Sequence, residues 1–303
     1  MIGTHRSNAA SKRMSAIAPY LFIAPTIILI LAIFGYPIAH VFYLSLQNYN
    51  FADYANRGFI GLENFRNLFQ NDHVFARAAF FSVQWVVVQV GGQLLFGMLM
   101  ALVLNAAFRL RGLVRSLTLI PWAVSGVLTT MLWMLILNRS IGLIGRILVN
   151  FGMLPGDTPS FLGNPDLVFF SVSIAQLWRG IPFFAVTLLA AMQSISHEIF
   201  EACEIDGANK IQKFVRIILP HLKETIVLTT LLRVIWEFNA VDLIFTLTGG
   251  GPANMTTTLP IYMFRTAVLN GNYGYGSAIG VVTFFALTIF AIFYLKLAKQ
   301  EEA

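Results

Sequence analysis

From Ala78 to Phe108 the sequence carries no aspartate, glutamate, lysine or arginine. A helix rising about 1.5 Å per residue needs about 20 apolar residues to cross a hydrocarbon core of about 30 Å, and this run exceeds that. Five further apolar stretches follow the same rule: Ile17 to Leu44, the interval between Arg115 and Arg139, Leu167 to Met192, Ile226 to Leu247, and Gly274 to Leu295. Only the fourth and fifth of the six carry charges. With 57% hydrophobic and 11% charged residues, against roughly 25% charged in ordinary soluble domains, a soluble monomer is excluded. Lipid leaves no water for unpaired backbone groups, so the expectation is an all-α polytopic protein with six transmembrane helices.

The first run is too long for a secretory h-region and shows no small-residue cleavage pattern, so it reads as an uncleaved helix. Pro19, Pro25 and Pro37 then mark its entry, a kink and its exit. With a cytoplasmic amino terminus, the inside segments 1–16, 105–116, 193–224 and 296–303 hold twelve of the 20 Lys and Arg residues. This positive-inside bias places both termini in the cytoplasm and accounts for most of the +6 charge, which removes the reason to invoke nucleic acid. One cysteine, Cys203, allows no disulfide framework, and the five histidines show no metal-ligand spacing.

Outside, Gly61 to Asn71 and Ile141 to Leu154 carry apolar residues at helical spacing and read as short interfacial helices. Thr248 to Thr258, rich in glycine and hydroxyls, reads as a mobile or ligand-contacting loop. Inside, the segment between the fourth and fifth spans is patterned as a helix–glycine–helix hairpin. Ser196 caps a first helix presenting Glu201, Glu204 and Asp206, Gly207 supplies a positive-φ elbow, and a second helix carries Ile211, Phe214, Val215 and Ile218 on one face up to Pro220. Such a hairpin could bind anionic lipid or dock a soluble cytoplasmic partner; composition does not choose between them.

Glu201-Ala202-Cys203, Gly207 and Ile217-Ile218-Leu219-Pro220 resemble the E-A-A-x3-G-x9-I-x-L-P loop of permease subunits in binding-protein-dependent ABC importers, with the spacing matched at every element. Cys203 stands where the family usually has alanine, and Ser196 where proline is usual. Leu177 to Phe184, Leu189 to Ile195, Arg233 to Pro252 and Gly61 to Phe65 are similar to the carbohydrate-uptake branch typified by the first maltose permease subunit. The resemblance implies a type I importer permease fold, sugar transport in the bacterial cytoplasmic membrane, a second homologous permease, two ATPase subunits and an external solute-binding protein. It also implies that ATP and magnesium sit on the ATPase subunits, in keeping with the lack of a G-x-x-x-x-G-K-[ST] loop here. On this pattern 1–75 forms the tail, first helix and external segment, 76–297 the transport core with coupling loop 194–223, and 298–303 a short tail. Glu201 would anchor the loop in an ATPase cleft, Gly207 set the elbow, and Ile211, Phe214 and Ile218 transmit movement.

Charge at membrane depth faces a cavity or a partner. Arg233 and Glu237, one helical turn apart, read as an intramembrane ion pair at the interface of the two permease halves or as substrate contacts. Asn239 and Phe238 offer an amide for sugar hydroxyls and a ring for the C–H face, and the resemblance places an asparagine of the maltose-type sugar site at Asn239, with Ala240 departing from that pattern. Trp178, Arg179 and Phe183 beside a Gly180/Pro182 helix interruption, together with Asp242, complete the candidate pathway. Gln84, Gln89, Gln93 and Gln176 read as interhelical hydrogen-bonding groups, and Gly276-x3-Gly280 as a close helix contact. The rival readings are an ion-coupled secondary transporter and an intramembrane enzyme.

Overall fold

The computed structural model describes residues 19–153 and 158–300. The amino-terminal tail, the last three residues and the Leu154 end of the second interfacial segment lie outside the described residues. Thirteen helices and one small hairpin organise the rest. They are α1 (Pro19–Ser45), β1 (Gln47–Asn48), β2 (Gly58–Phe59), α2 (Glu63–Gln70), α3 (His73–Asn105), α4 (Arg111–Ala123), α5 (Gly126–Ile136) and α6 (Leu143–Asn150). There follow α7 (Pro165–Gln193), α8 (His197–Ile205), α9 (Lys210–Lys213), α10 (Lys223–Phe238), α11 (Asp242–Thr248), α12 (Leu259–Phe264) and α13 (Tyr273–Gln300). A second short helical stretch, Leu219–His221, continues α9.

Among the described residues four helices, α1, α3, α7 and α13, are long and apolar enough to cross a membrane. Two expected spans are not straight rods. The third is α4 and α5, bent by 94° at Val124–Ser125. The fifth is α10 followed by α11, broken at Asn239 to Val241. Sixteen residues of α10 reach about 24 Å, short of the hydrocarbon thickness, so α10 alone is not a full crossing.

Proline placement explains why other segments stay helical where the sequence suggested ends. Pro37 does not terminate α1. A π-helical turn at Leu31–Gly35, in which the Tyr36 N–H donates to the Leu31 carbonyl, widens the helix just where the proline ring would strike a carbonyl four residues back. The same device recurs at Phe214–Ile218 ahead of Pro220, where the Leu219 N–H donates to the Phe214 carbonyl. The chain from α9 therefore runs almost without interruption through Leu222 into α10, since Leu222 N–H reaches Ile218 and Ile226 N–H reaches Leu222. Pro182 likewise lies inside a continuous α7 and makes no break there.

The core is the parallel pair α3 and α7. Phe81 meets Phe169, and further along Gly97 meets Phe184, so both helices end at the face that carries the α8–α9 hairpin. A Cβ on Gly97 would fall 2.5 Å from Phe184 Cβ and 3.1 Å from the Ala185 nitrogen, which is backbone and cannot swing aside. Gly276 and Gly280 play this part on α13, facing Ala267 and Met263 of the segment Leu259–Leu269, a helix the sequence reading left unassigned. Helix α1 packs on α13 through Phe42, which meets Phe284 and Phe285.

At the opposite end Asp72 caps α3 by accepting from the Phe75 N–H. Its carboxylate also accepts from the Tyr262 hydroxyl at 2.6 Å and the Tyr275 hydroxyl at 2.7 Å, which ties α3 to α12 and α13. Partial burial opposes the charge, but the tyrosine and backbone donors outweigh it and hold this carboxyl below its ordinary value. The Thr248–Thr258 loop is folded on itself and held by its own hydrogen bonds. Thr256, Thr257 and Thr258 are buried, the Thr257 hydroxyl donates to the Gly250 carbonyl, and Arg265 reaches Asn254.

Gly97→Val should destabilise the protein by about 1–3 kcal/mol, whereas Gly91→Ala, on the same helix with nothing within 4 Å, should be neutral or better. Thermal unfolding in detergent micelles separates the two. Because the Asp72 carboxyl is depressed in the folded state, its stabilisation is complete above the ordinary carboxylate value and disappears as pH falls through the lowered one. Asp72→Asn should therefore unfold at a lower temperature than wild type at neutral pH, with the gap closing in acid.

Candidate functional site

Where α3, α7 and α10 meet, Glu237 is buried to 1% exposure. Arg233 donates to it at 2.8 Å, and the side-chain amides of Gln93 and Gln176 each donate at 2.9 Å. The Arg233 Nε also donates to the Gln93 carbonyl oxygen, so one amide bridges both charges. The i, i+4 spacing read from the sequence forms, but its setting is the core of this one chain, with its charges satisfied by its own helices. Gly180 makes the approach possible, since a Cβ there would lie 2.2 Å from Gln93 and 2.4 Å from Arg233. Phe183 covers the cluster, with the Arg233 guanidinium 5.6 Å from its ring centre and Trp236 at 5.3 Å.

Beside this network lies a cavity of about 340 Å³, lined by Trp122, Gln176, Arg179, Arg233, Trp236, Glu237, Ala240 and Asp242. Arg179 of α7 donates to Asp242, at the start of α11, at 2.8 Å. The break in the fifth span brings Asp242 to that partner, and the bend in the third leaves room for it. A Cβ on Gly126 would lie 2.5 Å from the Asp242 carboxylate.

The candidate pathway residues are thus divided. Arg179 and Asp242 line the cavity, with Phe183 behind it. Trp178 packs edge-on against Trp133 at 6.1 Å. Phe238 faces an apolar groove between α3, α10 and α13, and Asn239 lies at the end of α10, donating to the Ile235 carbonyl and lining a different groove beside Met263 and Thr283. Sequence reading did not mark Trp122 or Trp236, because no local pattern announces which indole a distant bend will turn towards a cavity. Of the glutamines, Gln89 reaches the Ser173 carbonyl, while Gln84 is exposed.

The helix–glycine–helix hairpin forms with Gly207 at φ +71°. Ser196 occupies the cap position without a side-chain hydrogen bond, and Asn209 and Gln212 cap the second arm reciprocally. Across the elbow Lys213 donates to Glu204 at 2.9 Å, and this hydrogen bond and charge hold the Glu204 carboxyl below its ordinary value. Cys203 and Ile218 are buried and Phe214 is half-buried, so they anchor the hairpin to the bundle. Ile211 and Val215 depart from the expected single apolar face. Ile211 is 74% exposed and Ile205 87%, beside exposed Glu201, Ala202 and Asp206. Ile217 is half-buried, while Leu219 and Pro220 face outward.

Residues 93–300, covering this network, cavity and hairpin, match the family described as binding-protein-dependent transport system inner membrane component. The chain belongs to that family. Among its relatives, the trehalose/maltose transport system permease protein MalF of Thermococcus litoralis is 35% identical over 92% of this permease and 93% of its own length. The diacetylchitobiose uptake system permease protein DasB of Streptomyces coelicolor is 32% identical over 99% and 92%. The fold of the permease matches a chain in the crystal structure of a bacterial ABC transporter involved in the import of the acidic polysaccharide alginate, with a TM-score of 0.83, 22% identity, and 96% and 99% of the two chains covered.

Glu237→Leu leaves the Arg233 charge buried without its carboxylate and should destabilise the permease by roughly 3–5 kcal/mol. The double variant Arg233→Met/Glu237→Leu removes both charges and should be more stable than the single one. Detergent-phase thermal unfolding gives the comparison; a single variant as stable as wild type would refute the network's structural weight.

Proposed function

We propose that this chain is a permease subunit of an ATP-driven sugar importer in the bacterial cytoplasmic membrane, with six crossings and both termini in the cytoplasm. In this reading α4–α5 form the third crossing and α10–α11 the fifth. The core 76–297 pairs with a second homologous permease, two ATPase subunits dock on the inside hairpins, and an external binding protein delivers a sugar or sugar derivative. ATP and magnesium belong to the ATPase subunits. The family membership and the sugar systems named for its relatives support the class.

The observation that carries the mechanism is the continuity from hairpin to cavity. Ile205 and Ile211 are exposed on the hairpin, as are Glu201, Asp206 and Lys210, and apolar side chains among charged ones suit a protein-docking surface. Movement of the hairpin passes through the nearly continuous α9–Leu222–α10 path to Arg233 and Glu237. Gln93 and Gln176 then carry α3 and α7 along with α10, while the bend at Val124–Ser125 and the break at Asn239 let α5 and α11 shift against them. ATP and loaded binding protein bias two such arrangements by their differential contacts with each.

Gly207→Pro, which forces φ near −65°, and Glu201→Lys should leave the permease in the membrane but lower sugar uptake per ATP hydrolysed by roughly tenfold. Ile205→Asp with Ile211→Asp should release the ATPase subunit, reducing its co-purification by roughly tenfold or more. Replacement of the whole Glu201–Pro220 segment should abolish it. Normal uptake and ATPase retention in these variants would overturn the docking role.

A further inference from the structure

We infer that a second cavity, where α1 and α13 meet, binds the phosphate of an anionic membrane phospholipid, with Arg57 as the selecting charge. This rests on the permease reading, whose topology makes the leaflet the outer one. Two of the long apolar helices bring the last turns of α1 and the first residue of α13 to this cavity of about 610 Å³. His40 and Tyr43 of α1, Gln47 of β1, Tyr49 and Arg57 of the segment joining β1 to β2, and Tyr273 of α13 line it. A cavity where spanning helices end faces lipid headgroups, and exposed aromatic rings collect at that depth. Here Tyr36, Tyr43, Phe51 and Tyr54 are all more than half exposed. Tyr36 stacks on His40 and His40 on Tyr43, so a ladder of rings runs from the cavity along α1 towards the hydrocarbon.

Arg57 sets the charge. Its guanidinium lies 4.2 Å from the Tyr54 ring centre, 4.5 Å from Tyr49 and 5.1 Å from Phe51. Nε donates to the Asn50 carbonyl at 3.2 Å and Nη2 is enclosed without an acceptor, which leaves Nη1 for the cavity. Unlike Arg179 and Arg233, Arg57 pairs with no carboxylate among the described residues. Asp53, the acid nearest to it in sequence, accepts from Asn56 instead, and the cavity's lining residues include no acid. A fixed cation that the protein's own acids leave unmatched is a site for an anion. Phosphate suits it, because several oxygens can accept from Nη1 and from the hydroxyls of Tyr43, Tyr49 or Tyr273 together. The frame is held by backbone: the Phe51 N–H donates to the Gly271 carbonyl at 2.9 Å and the Gly274 N–H to the Tyr49 carbonyl at 3.1 Å. A free phosphate would find the same donors. The ring ladder on α1 favours the lipid, since it offers the glycerol and acyl portions an apolar wall that a soluble ion would leave bare.

The test uses the assembled importer, with its partner permease and ATPases, in phosphatidylcholine nanodiscs. Phosphatidylglycerol and phosphatidylcholine probes with the same photoactivatable acyl chain are added at equal low mole fraction, and labelled peptides are mapped by mass spectrometry. The glycerol-to-choline labelling ratio on peptides carrying Tyr36 to Tyr54 should exceed the ratio at Ile289 and Phe293, exposed on α13, by about fivefold. Arg57→Gln should abolish that excess and Tyr43→Leu should lower it. Arg57→Lys, which keeps the charge, should preserve most of it, and Arg66→Gln, which removes an exposed charge on α2, should leave it intact. Equal ratios at the two places, an excess that survives Arg57→Gln, or an equal loss in Arg66→Gln would overturn the inference. Loss in Arg57→Lys as complete as in Arg57→Gln would assign Arg57 to holding the hairpin and overturn it too. So would protection of these peptides from both probes, which would mean that the partner permease covers the cavity, or displacement of the lipid by soluble glycerophosphoglycerol. Stimulation of ATPase activity by the loaded cognate binding protein, measured on the same discs, keeps the two readings apart. Stimulation without the labelling excess leaves the importer reading standing and this inference fallen; the excess without stimulation does the reverse.

Discussion

A carboxylate buried among apolar helices is tolerable only if donors surround it, and Glu237 has them from three helices. Arg233 supplies the opposite charge along the same helix, while Gln93 and Gln176 reach in from α3 and α7. Each donor fixes a register, because a slide of either helix by one turn would remove its amide from the carboxylate. Gly180 and Gly97 then become necessary, as the backbones must approach closely enough for short side chains to meet. The parallel packing of α3 on α7, the position of α10 across them, and the wall of the cavity all follow from keeping this group satisfied.

Prolines show a second constraint at work. Pro37 and Pro220 each sit just after a π-helical turn, which opens the carbonyl spacing that a proline ring would otherwise violate. The consequence differs by place. In α1 it lets a helix cross where an early stop was expected. In the hairpin it makes the second arm and α10 nearly one body, which carries Arg233 and Glu237 further along. The helices are interrupted elsewhere, at Val124–Ser125 and at Asn239 to Val241, and Ala240 of the second interruption lines the cavity.

Much of the hairpin was legible in the residues themselves. Gly207 sits in the positive-φ region that its position between two amphipathic segments requires, and the Arg233–Glu237 pair forms as its i, i+4 spacing dictates. The distribution of its apolar side chains was not. Ile211, Phe214, Val215 and Ile218 share a stripe on a helical wheel, yet Ile211 and Val215 are exposed while Ile218 is buried, because the π turn rotates the stripe and the bundle covers only part of it. The chemistry of Asn239 and Phe238 suits a sugar, but the helix ends between them and each lines a groove other than this cavity.

What the sequence by itself determined is what short-range physics controls. Apolar runs long enough to cross lipid mark the long helices, and glycine, capping residues and i, i+4 charges set local geometry within a few residues. Tertiary structure alone decided that two apolar runs bend or break, that Gln93 and Gln176 converge on Glu237, and that Trp122, Trp236, Arg179 and Asp242 enclose one cavity. Apolar runs are equally at home straight or bent. The choice is made by contacts between residues tens to more than a hundred positions apart, and no local pattern encodes those distances.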